Sequence, residues 1–338
     1  MGISRMAAQR KGIRVMPGDI ILHIVEQMDT ETRTNFLATN KGICGLVESY
    51  EHSISKYRAT TFTLPPLGNV LSSSASERRV LQKNTFAMVR EIELRDNRID
   101  RLIRECPRIF CLSAPPWLPC LTAQQQARLR LILKRALYQC DRIADIAANM
   151  PDPQIPPEYY HAITDRVYEW PSALSSITEA EFEFNPLTRP NARPKQIEYI
   201  ESLPLEDIAG IFILVNMLGY GLTCICSDTG FERKTIIEEC VLRHGTWFVW
   251  ARLRGDQIMQ ELASCIISAG MAELKQWETG NIHGPPGLKM RLTRRFNELA
   301  GGATGDEVIL NIEKSLEKLV IGDEKPLTGW ESDSDDEE

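Results

Sequence analysis

Residues 16–47 read MPGDIILHIVEQMDTETRTNFLATNKGICGLV, and the rest of the chain is best taken outward from them. Pro17 fixes φ and suits the first turn of a helix, and Asp19 puts a carboxylate near that helix's positive end. Ile21, Ile24, Val25 and Met28 recur at steps of three and four, which places them on one helical face. Asp29 and Thr30 interrupt the apolar run and can cap a second helix, which carries Phe36 and Leu37. A third short turn offers Ile43, Leu46 and Val47. Such short helices bury little surface on their own, and Ile20 and Leu22 leave apolar surface off the main stripe. The pattern predicts a docking module that wants a partner. The plainer alternative is an amphipathic helical hairpin within a larger domain.

Met16-Pro17-Gly18-Asp19-Ile20-Ile21-Leu22-His23-Ile24-Val25 resembles the opening of an F-box, whose usual pattern is Leu-Pro-x-Glu followed by a hydrophobic helix. Leu37-Ala38-Thr39-Asn40-Lys41, followed by Ile43 and Leu46-Val47, resembles its close. Met16 replaces Leu and Asp19 replaces Glu. Arg33 stands where the pattern has Leu, and Ile43 where an aromatic is common. Gly42 and Gly45 fall in the third helix, where each glycine costs about 1 kcal/mol relative to alanine. Two looser stretches are similar to the F-box proteins of filamentous fungi. Ala127 to Tyr138 resembles their basic, aromatic-bearing helix. Ser202 to Gly210 resembles their later Pro-Trp-Glu-type helix start, with Leu205 in place of the aromatic.

The chain has 338 residues and is 43% hydrophobic, enough for a real core in one large domain or two medium ones. Of the net charge of −7, six acidic residues lie between Glu331 and Glu338. The remaining body is near neutral and gives no electrostatic case for nucleic acid. The nine cysteines lack framework spacing, so reduced thiols in the cytoplasm or nucleus are expected. Arg5, Arg10, Lys11 and Arg14 make residues 1–14 a basic arm. Met6 breaks the myristoylation pattern that Gly2 would begin. The most apolar run, Ile208 to Leu222, covers 15 residues and reads as a buried helix rather than a membrane span.

Residues 48–62 continue as a helix with Tyr50, Ile54 and Tyr57 along it, and Pro65-Pro66 places a domain boundary after them. Capping-box patterns recur at Ser74/Glu77, Thr122/Gln125, Thr178/Glu181, Thr229/Glu232 and Thr304/Glu307. The best helix begins near Thr122, where Leu129, Ile132, Leu133, Ala136, Leu137, Cys140, Ile143 and Ala147 keep helical spacing for about seven turns. Later helices are expected at 159–170, over 205–222, from Thr229 through Val241, over 257–277 with Ile258, Leu262, Ile266 and Leu274 on one face, and from Thr304. The expected organisation is a basic arm (1–14), an F-box-like module (15–62), a linker (63–75), an irregular helical domain (76–325) and an acidic tail (326–338). The fold class is all-α, a three-helix F-box-like module followed by a larger irregular helical domain.

Signatures of chemistry are sparse. Cys224, Cys226, Cys240 and His244 could ligate a metal, but structural zinc normally takes tight Cys-x2-Cys pairs, and buried thiols are the simpler reading. No histidine sits in a metalloprotease or triad signature, and Glu238-Glu239 reads as a solvated helix face. Lys289, Arg291, Arg294 and Arg295 form the best cationic cluster, read as an exposed helix face rather than a phosphate stripe. Ser332 and Ser334 lie among acids and suit an acid-directed kinase. No enzyme, metal or cofactor is expected. The resemblance implies a substrate-recruiting subunit of a Skp–cullin–F-box ubiquitin ligase. Its partners would be a Skp-type adaptor, through it a cullin, and a protein substrate, with no nucleic acid and no membrane. By motif position Met16, Pro17, Ile20, Ile21, Ile24, Leu37 and Ile43 would dock the adaptor, and some of these must instead hold the small core. The alternative is a non-catalytic helical scaffold whose F-box no longer binds the adaptor, motivated by Arg33, Gly42 and Gly45.

Overall fold

The computed structural model describes residues 16–73, 79–105, 122–150, 192–225, 231–278 and 287–299. The described residues are all-α: twelve α-helices and a two-stranded antiparallel pair. The chain forms two compact units, Met1–Asn97 and Arg98–Glu338. The expected arm, tail, helix at 159–170 and last helix from Thr304 lie outside the described residues, as do the capping-box residues Ser74, Thr178, Thr229 and Thr304.

The first unit opens with four short helices: α1 (Gly18–Gln27), α2 (Thr30–Ala38), α3 (Lys41–Ser49) and α4 (Glu51–Thr60). Each of the first three starts where the sequence provides a cap. Pro17 precedes α1, and its carbonyl accepts the Ile21 N–H at 3.2 Å. The Asp29 carboxylate accepts the Thr32 N–H at 2.7 Å. The Asn40 side-chain oxygen accepts the Gly42 N–H at 2.8 Å and the Ile43 N–H at 3.4 Å. The Asp29 and Asn40 bonds satisfy donors that a helix start leaves open, and α3 is helical through both of its glycines. Ile21, Val25, Ile43, Val47 and Ile54 form the core, flanked by Leu22, Met28, Phe36, Leu37, Leu46 and Phe86.

The unit continues through the residues expected as a linker. Strands β1 (Val70–Leu71) and β2 (Val80–Leu81) pair Val70 with Leu81 and Leu71 with Val80. A second cluster joins Ala59, Val70, Met88, Val89 and Ile92, with Phe62 and Leu81 against it. Met88, Val89 and Ile92 come from α5 (Phe86–Glu105), and the division between the units falls inside that helix. The Glu91 carboxylate accepts the Ser73 N–H at 3.0 Å and the Arg95 Nε at 3.1 Å, with both side chains almost fully buried. Residues 63–73 are thus tied into the first unit, not strung between two bodies. Strands of two residues are too short to display an alternating pattern.

The second unit is built on α6 (Ala123–Asp145), which continues into a short 3-10 turn, Ile146–Asn149. Thr122 and Gln125 make the expected reciprocal cap: Gln125 N–H to Thr122 Oγ1 at 3.2 Å, and Thr122 N–H to Gln125 Oε1 at 2.9 Å. The predicted face is buried at Leu133, Ala136, Leu137, Cys140 and Ile143. Around it pack α7 (Arg193–Ser202), α8 (Leu205–Ile225), α9 (Phe231–His244) and α10 (Thr246–Arg254). Helix α11 (Gln257–Glu278) lies on α9 and α10, and α12 (Leu288–Leu299) on α7, α8 and α9.

Helix α8 spans 21 residues, longer than the apolar run that marked it. By length and composition its stretch Leu205–Thr223 could cross a membrane, yet 72% of that window is buried inside the protein, as for a core helix. The face of α11 differs from expectation. Met259, Ala263, Ile266 and Ile267 point inward, and Ile258 is exposed. The two patterns differ by one helical position, and only the packing of α9 and α10 decides between them.

Candidate functional site

The candidate site is the outer face of α1. Of the seven residues assigned to docking by motif position, Ile21 and Ile43 are each 6% exposed and belong to the core of the first unit. They cannot touch a partner in this arrangement, which corrects their assignment. Leu37 is half-buried against the same core. Met16, Pro17, Ile20 and Ile24 are exposed, Ile20 at 45% and Ile24 at 37%. The split has a simple geometric cause. On a 3.6-residue helix Ile21 and Val25 define the inward stripe, and Ile20 and Ile24, four apart, form a parallel stripe beside it.

Gln27 continues that outer stripe, and its side-chain amide donates to the Tyr57 hydroxyl of α4 at 3.0 Å. Tyr57 of α4 and Tyr50, which precedes that helix, are themselves exposed, although α4 is otherwise anchored by Ile54. His23 lies at the surface with Nδ1 3.4 Å from Glu26. The site is therefore a preformed apolar strip with an aromatic edge. Cys44, on α3, donates to Glu48 at 3.2 Å, which pushes its thiol up and away from reactive thiolate character.

Arg33, which stands where the F-box pattern has Leu, is 2% exposed. Its guanidinium lies 4.0 Å from the centre of the Phe86 ring, and its Nη2 donates to Thr30 Oγ1 at 3.2 Å. Burial pushes the Arg33 guanidinium below its ordinary value, while the neighbouring Glu93 and Glu51 carboxylates oppose this. Glu93 also accepts the Thr30 N–H at 3.0 Å and the Arg58 Nη2 at 2.9 Å. Glu51 accepts the Phe86 N–H at 2.6 Å. No local pattern in the sequence announced that Phe86 and Glu93 would close over this module.

The two looser family-like stretches lie in the second unit, and there they meet. Arg135 of α6 holds the Asp207 carboxylate of α8, with Nη2 to Oδ2 at 3.0 Å, and the Gln139 amide donates to the same Oδ2 at 2.9 Å. The Tyr199 hydroxyl donates to Gln139 Oε1 at 2.7 Å. Gly210 packs its bare Cα side toward Ile132 and Ala136. Arg135 and Asp207 are thus joined although 72 residues separate them.

The other constellations resolve into structural roles. Glu238 and Glu239, expected on a solvated face, are 4% and 8% exposed. Lys234 and Lys289 flank Glu238 at 3.5 and 3.4 Å. Glu239 accepts the Leu288 N–H at 2.9 Å and the Lys289 N–H at 2.8 Å, capping α12, while the Arg243 Nε donates to it at 2.7 Å. Their burial is compensated by Lys234 and Arg243 of α9 itself and by the Lys289 ammonium and two amides of α12. In the cationic cluster Lys289 faces Glu238, Arg291 faces Glu201, and Arg294 and Arg295 both face Glu298. Cys240 and His244 are buried, with the His244 ring edge-on to Trp247 at 6.3 Å. The side chains of Cys224 and Cys226 lie outside the described residues. Among the described residues no three metal-binding side chains gather.

Burial pushes the Glu239 carboxyl up, but Arg243, Arg193 and the amides of Lys289 and Leu288 outweigh it, and the group sits below its ordinary value of 4.5. A carboxyl depressed in the folded state stabilises above the unfolded value and loses that contribution as pH falls through the folded one. The urea midpoint of the second unit should therefore decline on acidification from pH 4.5 downward. In Glu239→Gln the decline should be shallower, from a lower starting midpoint. Parallel curves for the two proteins would assign the acid sensitivity to other groups.

No family model, no curated protein and no solved structure matches the chain.

Proposed function

We propose that the chain is a substrate-recruiting subunit of a Skp–cullin–F-box ubiquitin ligase, of the filamentous-fungal F-box type, acting in the cytoplasm or nucleus. The observation that supports this most is the division of labour on α1. Ile21 and Val25 hold a small helical core, while Met16, Pro17, Ile20 and Ile24 remain exposed beside it. That division suits a module whose outer helix face is made to be covered by a partner. The chain would need no bond-making chemistry of its own. One surface would hold the Skp-type adaptor and another a target protein, and the raised effective concentration of target near the ubiquitin-carrying enzyme would drive transfer. The junction of Arg135 with Asp207 adds support, since it unites the two further stretches that resemble this family.

A second reading has its own observation. Arg33 is buried where the family pattern has Leu, which favours a non-catalytic helical scaffold whose F-box-like module no longer binds the adaptor. Co-precipitation of the full chain with a Skp-type adaptor separates the two readings. Ile20→Asp/Ile24→Asp is the informative variant, because Ile21 belongs to the core and its replacement would unfold the module. Adaptor retained by the wild type and lost by this variant, with unchanged circular dichroism, is the expected result. Retention by both proteins would remove the α1 strip as the docking site.

A further inference from the structure

The near-neutral charge of the chain's body hides an uneven distribution. Residues 98–105, the part of α5 that belongs to the second unit, touch both α6 and α10. The Lys134 ammonium of α6 holds Asp100 at 2.6 Å, and Arg254 of α10 holds Glu105 at 3.2 Å. The Arg98 and Arg101 guanidiniums lie 5.6 and 5.3 Å from the centre of the Trp250 ring. These contacts join three helical segments into one face. Residues 98–105, 123–145 and 246–254 together contain ten Lys and Arg but four Asp and Glu. Of those acids, Asp141 is buried and committed to Thr246, and Glu105 is shared by Arg101 and Arg254. Arg101, Arg104, Arg130 and Arg254 are exposed, and Leu131 is 68% exposed among them. The cations of α12, by contrast, are each matched by a glutamate.

The chain carries the matching charge itself. Residues 331–338 hold six acids and no base, and Trp330 precedes them. Unbalanced like charge on one face is unfavourable, and a run of carboxylates relieves it. Residues 300–330 can span up to about 100 Å when extended, against a diameter of roughly 45 Å for a domain of this size. Every face of the second unit is within that reach. Tethering sets the effective concentration of the acids on the order of 1 mM.

We propose that residues 331–338 dock in cis on the cationic face formed by the end of α5, α6 and α10. Leu131 offers apolar surface to Trp330 there. The contact is independent of the adaptor reading and stands or falls without it. An acidic segment of another protein has to compete with this tail for the face.

The test is the fluorescence anisotropy of a labelled peptide of residues 329–338, in about 0.1 M salt. It is titrated with the full chain and with a full-length variant in which the six acids of 331–338 are replaced by their amides. The amide variant should bind the peptide roughly tenfold more tightly than the wild type, whose own tail occupies the face. Adding Arg101→Glu/Arg254→Glu to the amide variant should abolish that binding. Lys195→Glu/Arg294→Glu, the same charge change on exposed positions of α7 and α12, should leave it unchanged. Arg101→Gln/Arg254→Gln replaces the reversal if circular dichroism shows that Glu105 does not tolerate it. In a second measurement, a photoreactive benzophenone side chain at position 332 of the full chain should crosslink within the molecule to residues 98–105, 123–145 or 246–254. Equal peptide binding by the wild type and the amide variant overturns the proposal, as does an equal loss from both charge-reversal pairs. Crosslinks confined to other segments also overturn it. So does the absence of peptide binding to every protein, and retention of a DNA duplex by the amide variant would then assign the face to nucleic acid.

Discussion

Replacing Gly245 with alanine should destabilise the second unit by on the order of 4 kcal/mol, enough to leave much of it unfolded at moderate temperature. Gly245 sits between α9 and α10 with φ 63° and ψ −149°, a combination open essentially to glycine alone and costing other residues about 1–3 kcal/mol. An added Cβ would also run into the Asp141 carboxylate and lie 3.0 Å from Asp141 Cα. Forcing such overlap in a packed interior costs about another 1–3 kcal/mol. Asp141 cannot step aside freely, because it accepts the Thr246 N–H at 2.8 Å and the Thr246 hydroxyl at the same distance. Urea unfolding monitored by tryptophan fluorescence, with Trp247 buried one helical position past Thr246, would read the loss directly. A wild-type midpoint for Gly245→Ala would show that the turn adapts.

The second large effect is expected at Phe296. This ring is fully buried and stacks on Phe212 with centroids 5.2 Å apart. Truncation to alanine should cost about 3–5 kcal/mol, combining lost burial with the cavity left behind. The effect should also couple to Glu239→Gln. Phe296 and Leu292 anchor the apolar face of α12, and Glu239 caps its start. Once one attachment is gone, α12 has less to lose from the other, so the double variant should be less destabilised than the sum of the singles. Chemical denaturation of the four proteins in that cycle gives the answer, and simple additivity would mean the two contacts do not hold one element in common.

Much of the architecture could be read before any coordinates. Pro17, Asp29 and Thr122 each open a helix because their chemistry acts within a few residues, and local signals of that kind survive whatever the rest of the chain does. The buried face of α6 was likewise set by its own periodicity. What was misread depended on residues far away. Arg33 looked like a defect, since nothing near it reveals Phe86. Glu238-Glu239 looked solvated, since the Lys289 ammonium and the α12 amides that draw the pair inward come some 50 residues later. Ile21 and Ile43 were counted for the surface because a motif position gives the face of a helix only to within one neighbour, and for isoleucines at 20, 21 and 24 that neighbour decides between core and solvent.

Two late helices receive their starting caps from carboxylates made earlier. Asp141 serves α10 across 105 residues, and Glu239 serves α12 across 49. In a chain synthesised from its N-terminus, both acceptors are therefore made before the amides they receive. Each of these helices emerges to find its nucleating acceptor already in existence, so the order of synthesis and the order of dependence run the same way. A circular permutant that begins between α9 and α10 would reverse that order for α10 and make its first turn wait for α6.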